Sequence, residues 1–142
     1  MKIKMTKFEI LAEFVKDISS ETKDVQTYLF VKDYISKYQL TIDITSQPTK
    51  NKLVEITTTL KFADKEDNAK KSYFELVYIA IVKLDEDLKE KKEIEKIILC
   101  EVQKEIQPKI EKAFTDLINN SGFEKVTVKD IDFDKLYNSR FN

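Results

Sequence analysis

Histidine and tryptophan are absent from this 142-residue chain, cysteine and glycine occur once each, and proline occurs twice. Without histidine the chain lacks the commonest general base near neutral pH and a preferred nitrogen ligand for metals. Cys100 is alone, so neither an internal disulfide nor a Cys/His zinc site can form. A single thiol also fits a reducing compartment. Gly122 by itself cannot build a glycine-rich phosphate loop or a dinucleotide fingerprint. Carboxylates, lysines, tyrosines and serines remain, and none stands in a catalytic signature. No catalytic residue, metal ligand or cofactor is assigned, and the chain does not read as an enzyme.

An excess charge of one sign is missing too. The chain has 25 Lys+Arg against 26 Asp+Glu, a formal net charge of -1. Such a balance gives no reason to expect nucleic acid or an anionic membrane as partner. Charged residues make up 36% of the chain, a level that reads as solvated surface. Long apolar runs are absent as well. None approaches the ~20 residues of a membrane span, and Glu9 and Glu13 interrupt the N-terminal stretch where a signal peptide would need apolar residues. A cytoplasmic protein without membrane insertion is expected. By length, residues 1–142 form one domain, which buries roughly two-thirds of its unfolded surface.

What is present is a strand with two apolar faces, Ser72 to Leu84. Phe74, Leu76, Tyr78, Ala80, Val82 and Leu84 share one side; Tyr73, Val77, Ile79 and Ile81 share the other, interrupted by Glu75. A strand wetted on one face alternates apolar and polar residues. Both faces here call for cover, one from a helix of the same chain and the other from a second copy or an apolar partner.

Further strands lie upstream. Phe8 and Ile10 alternate, then Leu11 and Phe14-Val15 break the phase, which predicts a bulge. Residues 22–36 show no clear period and read as an aromatic connection. Tyr38, Leu40, Ile42 and Ile44 alternate with polar residues up to a turn around Pro48. Val54, Ile56, Thr58, Leu60 and Phe62 form the next inward set, followed by a polar turn over 63–69. Short turns between alternating strands predict an antiparallel meander.

From Asp85 the period becomes helical. Ile94, Ile97, Ile98, Val102 and Ile106 share a face, and Asp85–Lys89 and Asp87–Lys91 have i,i+4 spacing. Pro108 predicts a kink or break, the pattern resumes at Ile110, and Gly122 reads as the C-terminal cap. Residues 123–131 read as extended or irregular, and residues 132–137 as a short final helix. The fold class is α+β: a four-stranded antiparallel sheet packed against a long, Pro-kinked C-terminal helix, with a short final helix.

Taken in this order, four stretches resemble the SecB protein-export chaperone family. They are Phe8-Glu-Ile10 leading to Lys16-Asp-Ile-Ser-Ser-Glu21; Leu29-Phe-Val-Lys-Asp-Tyr34 followed by Tyr38-Gln-Leu-Thr-Ile-Asp43; Tyr73-Phe-Glu75; and Pro108, Phe123 and Asp132-Phe-Asp-Lys-Leu-Tyr137. The likeness runs from residue 8 to residue 137. The chain departs from the family at Tyr34, where Trp is usual, and at Ile79-Ala80, where Gly-Gly is usual.

The resemblance implies an ATP-independent holdase that binds unfolded preproteins and delivers them to the SecA motor. It implies a homotetramer, a dimer of dimers. Asp17, Glu21, Tyr73 and Glu75 match the family's SecA-binding positions, and Tyr28, Leu29, Phe30 and Tyr34 match a client-binding groove. Read without the family, the carboxylates also suit ordinary surface and the aromatics a sheet core. Two other functions stay open: a SecB-like chaperone dedicated to the antitoxin of a toxin–antitoxin pair, and a structural oligomeric adaptor.

Overall fold

The computed structural model describes residues 7–49, 53–66 and 68–124. Its elements are β1 (Phe8–Thr22), α1 (Val25–Tyr34), a 3-10 turn (Ile35–Lys37), β2 (Gln39–Pro48), β3 (Leu53–Ala63), β4 (Ser72–Leu84), α2 (Lys91–Lys96), a π turn (Ile97–Glu101) and α3 (Val102–Asn120). The strands form one antiparallel sheet in the order β1-β4-β3-β2. β2, β3 and β4 follow one another as the predicted meander, and β1 adds on the far side of β4.

The alternation of β2 and β3 sets their faces. Tyr38, Ile44, Ile56, Thr58 and Leu60 are buried on the inner face, while Thr41, Asp43, Thr45 and Lys61 are exposed on the outer one. β2 runs on to Pro48, which pairs with Val54 instead of ending the strand. β2 is an edge strand, and an edge position can spare the N–H that proline lacks.

β1 carries two register shifts, between Ile10 and Ala12 and between Val15 and Asp17. Each inserts one residue against β4 and reverses which side chains face inward. Before the second shift Val15 pairs with Tyr78 on the inner face; after it Asp17, Ser19 and Glu21 pair with Val77, Glu75 and Tyr73 on the outer face. A regular strand would have turned Asp17 and Glu21 towards the core.

Residues 91–120 form the helical layer. The helix starts at Lys91, six residues later than its period suggests. Asp85 holds the chain in a turn first: its Oδ1 accepts from the Asp87 N–H at 2.9 Å and its carbonyl from the Leu88 N–H at 3.1 Å. Such local bonds compete with helix formation, so Asp85–Lys89 and Asp87–Lys91 do not face each other on a helix. Pro108 lies inside α3 without dividing it. Before α3 the helical layer carries a π turn, which buries Ile97, Ile98 and Cys100.

Val102, Gln103, Ile106, Ile110, Phe114 and Ile118 make the buried stripe of α3. They meet Ile56, Leu60, Phe74, Leu76 and Val82 from the sheet. Phe114 stands edge-on to Phe62 at 6.1 Å, and Phe123 edge-on to Phe74 at 5.7 Å. Burying one such side chain contributes about 1.5–3 kcal/mol. Two hydrogen bonds cross this layer: Gln103 Nε2 donates to Thr58 Oγ1 at 2.8 Å, and the Tyr78 hydroxyl donates to Glu13 Oε1 at 2.6 Å. Lys109 Nζ reaches the other Glu13 oxygen at 3.3 Å, tying β1, β4 and α3 together. Burial, then the Glu13 carboxylate, pushes the Tyr78 hydroxyl above its ordinary pKa.

Residues 25–34, expected as an irregular connection, are the helix α1. Asp24 caps it, Oδ1 accepting from the Thr27 N–H at 2.8 Å. Hydrogen bonding to the Thr27 side chain first, and then to its N–H, holds the Asp24 carboxyl below its ordinary value. At its other end α3 stops as predicted at Gly122, whose φ is +101°. Gly122 N–H donates to Asn119 O at 3.0 Å and Phe123 N–H to Ile118 O at 3.2 Å, a complete Schellman motif. The expected final helix over 132–137 lies outside the described residues.

Candidate functional site

Two surfaces stand out. The first is the outer face of the sheet, which no helix of the described chain covers. The second bulge of β1 places Asp17, Ser19 and Glu21 directly across from Val77, Glu75 and Tyr73. Asp17, Glu21, Tyr73 and Glu75, separated in sequence, therefore form one patch on two paired strands. Asp17 and Glu21 are exposed and Tyr73 is 52% exposed. Glu75 is not the isolated carboxylate that its sequence context suggests: Lys61 Nζ on β3 lies 3.6 Å from its Oε2. Lys61 alternates in phase with the outward residues of β3, and only the strand register shows that it meets Glu75.

An apolar strip borders this patch. Phe14, 49% exposed, pairs with Ile79, and Ala12 pairs with Ile81. Ile79 is itself buried although it lies on the outer face. The expectation of two apolar faces on β4 holds: one is covered by α3, and the other leaves Tyr73 and the neighbouring Phe14 open. The patch can offer negative charge around an apolar centre, an arrangement that suits a basic segment of another protein.

The second surface is α1. Thr27 and Val31 turn into the molecule, whereas Leu29 is 54% and Phe30 is 37% exposed. Phe30 stacks on Tyr34 with ring centroids 5.4 Å apart and 18° between planes, and Lys37 Nζ sits 5.6 Å from the Tyr34 centroid. Tyr28 departs from the other three candidate groove residues. Its hydroxyl donates to Gly122 O at 2.8 Å and its ring lies 5.2 Å from that of Phe123. An open cleft of about 630 Å³ runs beside it, lined by Tyr28, Lys32, Asp33, Ile35 and Gly122–Glu124. The lone glycine was the available sequence signal for this wall, but it reads as a helix stop and not as a lining residue. The exposed Leu29 and Phe30 of α1 offer apolar area, which suits extended chains of varied sequence, and the cleft beside them adds the charged groups of Lys32, Asp33 and Glu124.

Among the described residues no helix is long and apolar enough to cross a membrane. The profile of the SecB family, Preprotein translocase subunit SecB, matches residues 2–142. A candidate protein-export protein SecB of Pelagibacter ubique is 48% identical over 136 residues, covering 95% of this chain and 97% of that protein. The protein-export protein SecB of Bartonella bacilliformis is 23% identical over 133 residues, covering 94% of this chain and 82% of the relative. In three dimensions the chain is similar to a SecB-like chaperone of Mycobacterium tuberculosis, solved in complex with a ChAD peptide from the HigA1 antitoxin. The TM-score is 0.64 at 9% identity, over 88% of this chain and 91% of that one, a likeness of fold. With the family profile spanning residues 2–142 and a relative 48% identical over nearly the full length of both chains, this chain belongs to the SecB family of protein-export chaperones.

Proposed function

We propose that this protein is an ATP-independent holdase that binds unfolded preproteins on the α1 surface and delivers them to SecA through the acidic patch of β1 and β4. One observation carries the reading: Leu29 and Phe30 stay exposed on a helix of a molecule whose core is otherwise well filled. Apolar area left in water gains about 25 cal/mol per Å² when a client covers it. Such a gain requires area rather than a particular sequence, and it requires no nucleotide. SecA contact then falls to Asp17, Glu21, Tyr73 and Glu75, on the opposite face of the sheet from α3, where docking leaves the client surface clear. The working particle is a homotetramer, a dimer of dimers, in the cytoplasm.

Light scattering of the purified protein, with and without an unfolded polypeptide, tests this directly. Particles of four subunits that suppress aggregation without ATP are expected. Protection confined to a single antitoxin would replace the general reading with the dedicated one, and no protection at all would leave a structural adaptor. Asp17→Lys combined with Glu75→Lys should weaken SecA binding at least tenfold at low salt while client protection persists. The lost Lys61–Glu75 pair is on the surface and contributes roughly 0–1 kcal/mol, so the variant should fold. Unchanged SecA affinity would remove these two residues from the role.

A further inference from the structure

The buried side of α1 carries Thr27 and Val31, and beside them a phenol ties the helix to the end of α3. Tyr28 donates to Gly122 O at 2.8 Å, and its ring packs on Phe123, which packs edge-on against Phe74. Gly122 is itself well fixed. The Schellman bonds hold its backbone, the Ser121 hydroxyl donates to Leu117 O at 2.7 Å, and Ser20 Oγ on β1 lies 2.8 Å from Ser121 Oγ. The end of α3 is thus pinned to the sheet, and Tyr28 pins α1 to that end.

Any side chain at position 122 fails on two counts. The φ of +101° is one that L residues rarely adopt. A Cβ there would also lie 2.7 Å from Tyr28 Cε1 and 3.2 Å from its hydroxyl oxygen. Helix termination explains the first demand but not the second. Relieving the second would swing the Tyr28 ring away, with loss of its bond to the Gly122 carbonyl and a shift of the helix bearing Leu29 and Phe30.

We propose that Gly122 and the Tyr28 hydroxyl form a latch that sets how far α1 stands from the end of α3, making both of them positioning residues for the client surface. This rests on the reading of Leu29 and Phe30 as client contacts, and it moves Tyr28 from client contact to support. The same stand-off sets the width of the cleft between Tyr28, Lys32 and Ile35 on one wall and Gly122, Phe123 and Glu124 on the other.

The test uses the full chain with Tyr28→Phe, Gly122→Ala and, as a control of stability alone, Ile110→Val. Ile110 is buried mid-helix in α3, away from the latch. Two quantities are read: amide hydrogen exchange along α1, and the Kd for reduced, carboxymethylated α-lactalbumin as a permanently unfolded probe. Tyr28→Phe should speed α1 exchange roughly two- to tenfold, the range that one net hydrogen bond supports, and weaken the probe's binding by a similar factor. Gly122→Ala should do both more strongly; if it does not fold, Tyr28→Phe, which removes one oxygen and keeps the ring, still decides. Ile110→Val should leave α1 exchange and probe affinity near wild type. Exchange in the latch variants no faster than in Ile110→Val would overturn the latch. A loosened α1 with unchanged Kd would overturn its positioning role. Failure of the wild-type protein to bind the probe would remove the client surface, and the positioning role with it, even where the exchange data show the latch.

Discussion

α1 and α3 lie on the same molecule and use apolar residues in opposite ways. On α3 they form one stripe, Val102, Ile106, Ile110, Phe114 and Ile118, all spent against the sheet, while the opposite side carries charge such as the Lys112–Asp116 pair at 2.9 Å. On α1 they lie on more than one side, with Gln26, Lys32 and Asp33 between them: Val31 is buried, and Leu29 and Phe30 are not. A helix with a single stripe is held by what it buries. A helix with apolar residues beyond that stripe leaves some of them to meet something else. The contrast separates the part of the chain that makes the fold from the part proposed to work.

The strongest way to break this contrast is to truncate aromatics on each helix. Phe114→Ala should cost about 3–5 kcal/mol in denaturant unfolding, because a fully buried ring leaves a cavity. Phe30→Ala with Tyr34→Ala removes a stacked pair worth about 0.5–1.5 kcal/mol and should leave a folded protein with poor suppression of aggregation. Should the double variant unfold, the aromatics of α1 belong to the core and the contrast fails.

A smaller effect concerns Gln103, the one polar residue on the buried stripe of α3. Its Nε2 bonds to Thr58, and among the described residues its Oε1 has no partner. Thr58→Val should therefore cost about 1–3 kcal/mol by stranding the amide. Adding Gln103→Leu should recover most of that loss; no recovery would mean that Thr58 acts through packing and not through this bond.

The smallest effect is one of pH, confined to α1. Hydrogen bonds to Thr27, its side chain first and its N–H second, lower the Asp24 pKa below the ordinary 3.8 in the folded state. The cap's contribution is therefore complete above 3.8 and disappears as pH falls through the lower folded value. The Thr27 amide resonance should titrate with a midpoint below 3.8, and Asp24→Asn should abolish that titration. A midpoint at or above the ordinary value would show that the cap does not hold in solution.

Legibility in the sequence followed the same division. β2 and β3 could be read because each alternates, β4 because it is apolar on both faces, and α3 because its stripe repeats. The bulging of β1 could be read from its broken phase, although the phase showed one irregularity and the strand has two. α1 was hidden because Tyr28, Leu29, Phe30 and Val31 are consecutive and blur any helical period; only Asp24, three residues before Thr27, marks its start. Asp85 misled in the other direction, its carboxylate bonding locally where the spacing suggested a helix. Pro48 looked like a breaker because composition does not say which strand lies at an edge. The acidic patch came from resemblance, and its assembly depends on a bulge whose position fixes the face on which Asp17 and Glu21 emerge.

The pairing of β1 with β4 has a consequence for synthesis. β1 leaves the ribosome before any other strand and is completed last, since Phe8 waits for Leu84 and Thr22 for Ser72. Pairings so distant along the chain form slowly, and a strand that waits in the open is prone to association. Through that interval Leu11, Phe14, Val15 and Ile18 lie bare on the growing polypeptide. On the proposed reading, each nascent copy is itself a suitable client, and the finished copies around it are equipped to shelter it.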